Sequence, residues 1–215
     1  MLLQSKSTLD STVYNTIKEM ILDQKLKPGE AIVQNQLSQS LGVSRTPLRK
    51  ALGELEKEGL LESSPVGWFV KEFTVKDMVS VFEIRAVLEG LACRLAAGKL
   101  QAPDLIYWRT MFTQAYEAYR TGETESYYKA DVKFHNAIIE AAGDPLLART
   151  ISGTRIIATS QVQGLYRDPH ETFHEHLAIL DALEAKDGLQ AETLMRTHIQ
   201  KAVPFLQSGE YQIYK

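Results

Sequence analysis

Residues 37 to 59 read LSQSLGVSRTPLRKALGELEKEG, and this stretch restricts the fold more than any other because two helical patterns meet there across a single turn. Leu37 and Leu41 are four apart and share one face of a short helix, and Gly42 follows where a left-handed C-terminal cap is needed. Ser44 is placed to accept a hydrogen bond from the free amides of a second helix, and Pro47 in its first turn has no amide to leave unsatisfied. Leu48, Ala51, Leu52 and Leu55 recur at intervals of three and four and form that helix's buried stripe, while Arg45 and Arg49 project together from another face near its N-terminus. Arginines at this spacing usually only solvate an amphipathic helix. Here the preceding helix and turn complete a helix-turn-helix pattern, whose second helix enters the major groove of DNA through its N-terminal residues.

The flanking residues extend the pattern. Val13, Ile17 and Ile21 lie on one face of a helix expected from about Asp10 to Gln24, ending before the turn residues Lys27-Pro28-Gly29. After Gly59, LLESSPVGWFV has short apolar runs around Ser-Ser-Pro and Gly67, as expected for a two-stranded hairpin, or wing, whose Gly67 lets the tip approach a sugar-phosphate backbone. The run PGEAIVQNQLSQSLGVSRTPLRKALGELEKEGLLESSPVGWFV resembles the winged-helix DNA-binding domain of GntR-type transcriptional regulators, over roughly residues 9 to 73. GVSRTPLR, with the AL, LE and EGL that follow, carries the likeness. It implies a double-stranded operator as partner, read through Asn35, Ser44, Arg45, Thr46, Arg49 and Gly67, with Gln36 and Lys50 as further contacts.

Charge has to be placed locally for this reading to hold. The net charge is -3, and residues 1 to 73 carry nine Lys or Arg against nine Asp or Glu, so the deficit lies downstream. DNA affinity then comes from the arginines, with Glu54, Glu56 and Glu58 turned away from phosphates. A hydrophobic content of 44% with 24% charge excludes a disordered chain. Cys93 is the only cysteine, which excludes a disulfide framework and a cysteine zinc site and fits a reducing compartment. MLLQSKSTLDSTVY lacks the apolar core of a signal peptide, and no uncharged apolar stretch is long enough to cross a bilayer. A cytoplasmic protein with no membrane partner is expected.

Lys71 to Thr74 is the expected linker, dividing a winged helix-turn-helix domain at residues 1–73 from a helical domain at 74–215. Thr74 with Asp77 makes a capping-box start for a helix running to about Gly98. Helical patterns follow at about 103–121, 123–142, 144–166, 170–185 and 188–208, with no further strand signal. The fold class expected is therefore mainly α: a winged helix-turn-helix with a small hairpin, then an antiparallel bundle of about six helices. FEIRAVLEGLACRLAAG, DVKFHNAIIEAAGDPLL and EHLAILDALEAKDGLQAETLMRTHI resemble the all-helical effector-binding FCD domain of the FadR branch of GntR regulators, in its shorter VanR-like variety. Asp144 stands where that family commonly has Asn before Pro, and it caps similarly.

Asp131 and His135 are four apart, on the same face as Tyr127, Ile138 and Ala142. His198 falls in the stripe Ala191, Met195, His198, Ala202 and Phe205, and His176 precedes Leu180 and Leu183 on an inward face. Each histidine alone reads best as a core imidazole. Together they direct one carboxylate and three imidazoles into one bundle core, where a divalent cation would satisfy the carboxylate. The set Asp131, His135, His176 and His198 also matches the metal ligands that the family resemblance implies; His170 and His174 fall outside it, with His174, two residues before His176, as the alternative ligand from that helix. Such ligands suit Zn, Ni, Co, Fe or Mn, with Zn, Ni and Mn foremost. Two positions left open on an octahedral ion would take water or the carboxylate of a small organic acid, as the resemblance implies for the effector. Arg85 is placed to pair a second carboxylate or, equally, to bridge to Glu89; Arg155, Thr159 and Gln163 are further candidates for the pocket.

The function expected is a DNA-binding regulator acting as a homodimer on an inverted repeat, its affinity set by a small organic acid. A metal-dependent enzyme is the alternative, since open coordination sites activate water, but no additional base, nucleophile or phosphate-cradling loop stands at motif spacing. A metal sensor is the third reading.

Overall fold

Three helices and a hairpin form the first of two compact units in the computed structural model, residues 1–74 and 75–215. The backbone is described for residues 2–154, 164–209 and 213–214, and side chains for 10–151, 164–209 and 213–214. α1 (Leu2–Leu22) starts ahead of the apolar periodicity because no Gly or Pro precedes Val13 to stop it. It packs on α3 (Arg45–Lys57), with Val13, Ile17 and Ile21 buried on one side and Leu48, Ala51, Leu52 and Leu55 on the other. α2 (Gln34–Ser40) ends where Gly42 takes a φ of 63°, a left-handed conformation that costs glycine little.

The hairpin pairs β1 (Leu61–Ser64) with β2 (Gly67–Val70), antiparallel, from Leu61 opposite Val70 to Ser64 opposite Gly67. A lone two-stranded hairpin is only marginally stable in water. This one is braced along the other edge of β2, where Ile32 donates to the Trp68 carbonyl at 2.7 Å and Val70 donates to that of Glu30 at 2.9 Å.

The second unit is helical: α4 (Val75–Ala96), α5 (Ala102–Arg120), α6 (Glu125–Ala141), α7 (Pro145–Thr154), α8 (Pro169–Glu184), α9 (Gly188–Gln200) and α10 (Ala202–Ser208). Aspartates start three of them. Asp144 accepts from the Leu146 and Leu147 amides, Asp168 from that of His170 and Asp187 from that of Gln190. α9 lies close against α4 because Gly90 has no side chain: a Cβ there would come within 2.4 Å of Arg196 Cγ.

Two expectations are corrected. The single helix foreseen for 188–208 is two, broken at Lys201, since Pro204 has no amide for the Gln200 carbonyl and its ring crowds that turn. After the break Phe205 turns outward, 37% exposed, and Leu206 is buried in the core instead. An isolated bridge, Leu165 opposite Tyr214, adds strand pairing where none was foreseen. Among the described residues no helix is long and apolar enough to cross a membrane.

Candidate functional site

In the first unit, α3 turns its apolar stripe inward and leaves Ser44, Arg45, Thr46 and Arg49 exposed at its N-terminal end. Neither arginine has a carboxylate partner among the described residues. The acidic residues of the same helix are engaged elsewhere. Glu56 accepts from Ser63 Oγ and, at 2.8 Å, from Trp68 Nε1, which ties the wing to α3. Glu58 accepts from Tyr14 Oη and from Lys18 Nζ at 2.9 Å, and Glu54 pairs with Lys57 at 2.7 Å. Arg45 and Arg49 therefore have no neutralising carboxylate among the described residues, which suits a phosphate backbone.

Ser44 occupies the N-cap but makes no side-chain cap bond, contrary to expectation. An N-cap oxygen is usually satisfied by the second or third amide of the helix, and the third residue here is Pro47. Lys50 is also diverted, its ammonium lying 2.9 Å from Asp10 Oδ2 on α1. Asn35 and Gln36 are exposed at the start of α2. Asn35, Arg45, Val66 and Trp68 line one open groove between that end of α2, the start of α3 and the wing. The wing tip turns at Val66, 84% exposed, and Gly67, whose φ is 137°.

In the second unit, α6 carries Asp131 and His135 one turn apart, α8 carries His176 and α9 carries His198. All four are buried, and one ligand atom from each lies within 4.8 Å of the others. Asp131 Oδ1 is 3.3 Å from His176 Nε2 and 3.8 Å from His135 Nε2. The outer nitrogens are each held by another group: His135 Nδ1 by Glu89 Oε2 at 2.5 Å, His198 Nδ1 by Glu175 Oε2 at 2.8 Å, and His176 Nδ1 by Tyr127 Oη at 3.2 Å. A carboxylate only accepts, so His135 and His198 each donate from Nδ1, which leaves Nε2 as the atom facing the cluster. Burial drives His198 down to about 4, with the neighbouring His176 adding to the effect, and burial lowers His176 as well. Both imidazoles are thus neutral at pH 7.

His176 Nε2 is the informative atom. It is buried with no hydrogen-bond partner, because its 3.3 Å approach to Asp131 lacks hydrogen-bond geometry. Orphaned polar atoms are rare in protein interiors and ask for a missing partner. Imidazoles converging on a buried carboxylate, with their outer nitrogens fixed by further groups, form a donor set that fits a divalent cation. His170 and His174 are exposed and stand outside it.

A cavity of about 60 Å³ opens beside the cluster, its wall including Phe82, Arg85, Asp131, His135, Arg167 and His198. Arg85 both lines the cavity and bridges to Glu89, Nε to Oε1 at 2.6 Å, so the two roles weighed for it coexist. Burial raises the Glu89 carboxyl, but Arg85 and His135 outweigh that and hold it at about 2. Arg155, Thr159 and Gln163 lie outside the described residues. Sequence reasoning missed Glu175, Arg167 and the supporting role of Tyr127. Glu175 lies in α8 at the spacing of the buried Thr172, Ile179 and Ala182, but a carboxylate there interrupts the apolar signal, and Arg167 sits in a bend outside any helical repeat.

Comparison with known proteins assigns the two units. Residues 9–70 match the family model described as bacterial regulatory proteins, gntR family, and residues 80–201 match that of the FCD domain. The chain is 34% identical to the "Uncharacterized HTH-type transcriptional regulator YdhC" of Bacillus subtilis (strain 168), over 59% of this chain and 58% of that one. It is 30% identical to the "Probable D-xylose utilization operon transcriptional repressor" of Paenarthrobacter nicotinovorans, over 93% of this chain and 89% of the relative. Among solved structures, E. coli McbR/YncC superposes with a TM-score of 0.78 at 25% identity, covering 94% of this chain and 98% of that one.

Proposed function

From the premise that this chain belongs to the GntR family of transcriptional regulators and carries an FCD domain, we propose that a small carboxylic acid, bound at a divalent metal in the helical unit, sets its affinity for operator DNA. The observation that carries the reading is the buried convergence of Asp131, His135, His176 and His198 beside a cavity. Zn, Ni or Mn suits this mixed ligand set. Such an ion would supply positive charge able to draw a carboxylate into the buried site. The protein's own groups prepare for it: Glu89, Glu175 and Tyr127 orient the three rings, and Phe112 stacks on His176 at 4.2 Å and keeps water from its face. Arg85, ion-paired with Glu89, presents its guanidinium at the cavity wall.

A thermal-shift screen of small organic acids against the metal-loaded protein tests the acid directly, since a ligand that binds only the native state raises its melting temperature. A hit in the metal-loaded form that vanishes with chelator is expected; acids that shift both forms equally would contradict binding at the metal.

On the DNA side, Arg45 and Arg49 read bases, with Ser44, Thr46, Asn35 and the wing at Gly67 positioning them. A single reading helix makes few contacts, so the protein acts as a homodimer on a short inverted repeat, in the cytoplasm where that DNA is. Sedimentation is expected to give two chains per operator duplex. A monomer both free and on DNA would overturn the symmetric arrangement. Acting through DNA and an effector, the protein is a regulator and not an enzyme.

A further inference from the structure

Glu56 stands on the same face of α3 as the two arginines. Arg45, Arg49 and Glu56 are spaced by four and then seven residues, which returns to one side of the helix and places Glu56 about 10 Å beyond Arg49 along its axis. Glu54 and Glu58 fall on the opposite side, as expected; Glu56 does not. A bare carboxylate there would repel phosphates. This one is taken up by the wing: its two oxygens accept from Ser63 Oγ and, at 2.8 Å, from Trp68 Nε1, and Ser63 and Trp68 lie directly opposite each other across the hairpin. One side chain of the reading helix thus clips both strands of the wing. Ser63 and then Trp68 hold the Glu56 carboxyl below its ordinary range, so it is ionised at pH 7.

Charge does not draw the wing to DNA. Residues 60–70 hold no Lys or Arg and one acidic residue, Glu62, so the tip at Val66 and Gly67 gains from the duplex only by being in place when α3 docks. β1 turns Glu62, Ser63 and Ser64 to solvent, and no apolar packing from these three steadies the strand toward the tip. Trp68 is half-buried and shares the open groove with Asn35 and Arg45, so where its ring sits fixes how far the wing stands from Arg45. Resting on the reading that Arg45 and Arg49 dock on operator DNA, we infer that Glu56 is a positioning residue for that docking. It holds the wing at a set distance from the two arginines, so that helix and tip meet the duplex together. A negative charge here strengthens binding to a polyanion, the reverse of what its sign alone dictates.

Full-length protein and its variants are titrated onto a labelled duplex that the wild type selects from random sequences. Melting curves confirm that folded proteins are compared, and hydroxyl-radical footprints locate the wing. Glu56→Ala removes a charge that repels DNA and is nonetheless expected to weaken binding about tenfold, the scale of one contact that must be ordered on binding. Its footprint should lose the protection due to the wing and keep that due to α3. Trp68→Phe keeps an aromatic ring and removes Nε1–H; it should also weaken binding, and the double variant should bind no more weakly than Glu56→Ala alone. Glu56→Gln, whose amide oxygen still accepts from Trp68 Nε1, should recover most of the affinity. Tighter binding by Glu56→Ala, an unchanged footprint, additive losses in the double variant, or a glutamine variant as weak as the alanine one overturns the assignment. Should Glu56→Ala fail to fold, Trp68→Phe decides, and wild-type affinity in that variant overturns it. Arg45→Ala and Arg49→Ala run alongside. If they lose affinity while Glu56→Ala keeps it, this inference alone fails; if both keep full affinity, α3 is not the reading helix and the inference falls with that reading.

Discussion

A His176→Ala variant is expected to purify without stoichiometric divalent metal and to melt far below the wild type. Two effects add. The ring is fully buried and stacked on Phe112, so its removal leaves a cavity that costs about 2–5 kcal/mol by analogy with other large-to-small core changes. It also removes an imidazole whose fully buried inner nitrogen has no hydrogen-bond partner, and with it the metal's contribution, about 2.7 kcal/mol when free metal stands at about a hundred times its dissociation constant. Chelation separates the two, because it removes the metal and leaves the core packed. Chelator should lower the melting temperature of the wild type and leave that of His176→Ala unchanged. Elemental analysis supplies the second readout. A wild-type protein that takes up no divalent metal, and whose melting is indifferent to chelator, would make these four residues an ordinary buried polar cluster.

Arg45→Ala and Arg49→Ala are each expected to weaken operator binding by about 1–3 kcal/mol, roughly five- to 150-fold, and to relax specificity at one base position. The magnitude follows from their setting: both are exposed at the start of α3 with no carboxylate partner among the described residues, whereas Lys50 already pairs with Asp10. Lys50→Ala should accordingly cost much less. The salt dependence of binding distinguishes the roles, since loss of a phosphate contact lowers the slope of log affinity against log salt by about one and weakens all sequences alike. Full operator affinity in both arginine variants would remove α3 from its reading role.

Most of the architecture is legible in the chain because it is encoded at short range. Leu48, Ala51, Leu52 and Leu55 mark the buried side of α3 by spacing alone, and Gly42 marks the end of the helix before it. Short-range rules also fail at identifiable places. Ser44 has the right identity for a cap, but Pro47 removes an amide it would have bonded, and Pro204 ends α9 sooner than the apolar stripe implies. The four clustered side chains are visible because each falls within an apolar repeat of its helix. Their supports are not. Glu89 meets His135 across 46 residues of chain, and Glu175 meets His198 across 23, contacts made by helix packing that no periodicity contains. Arg167 lies in a bend outside any helix, where no periodicity marks it, and meets the His198 carbonyl across 31 residues.

The central claim is that the helical unit and the DNA-reading unit are thermodynamically linked. It is tested most directly by measuring fluorescence anisotropy of a labelled duplex, selected by the protein from random sequences, as a small acid known to bind the metal-loaded form is titrated in. The account predicts that DNA affinity changes by some factor, that saturating DNA changes acid affinity by the same factor, and that the effect disappears in Asp131→Asn and in chelated protein. A change produced by chelation alone, with no dependence on acid, would make the metal itself the signal. An acid that binds the metal site in the free protein and leaves DNA affinity untouched would contradict the mechanism.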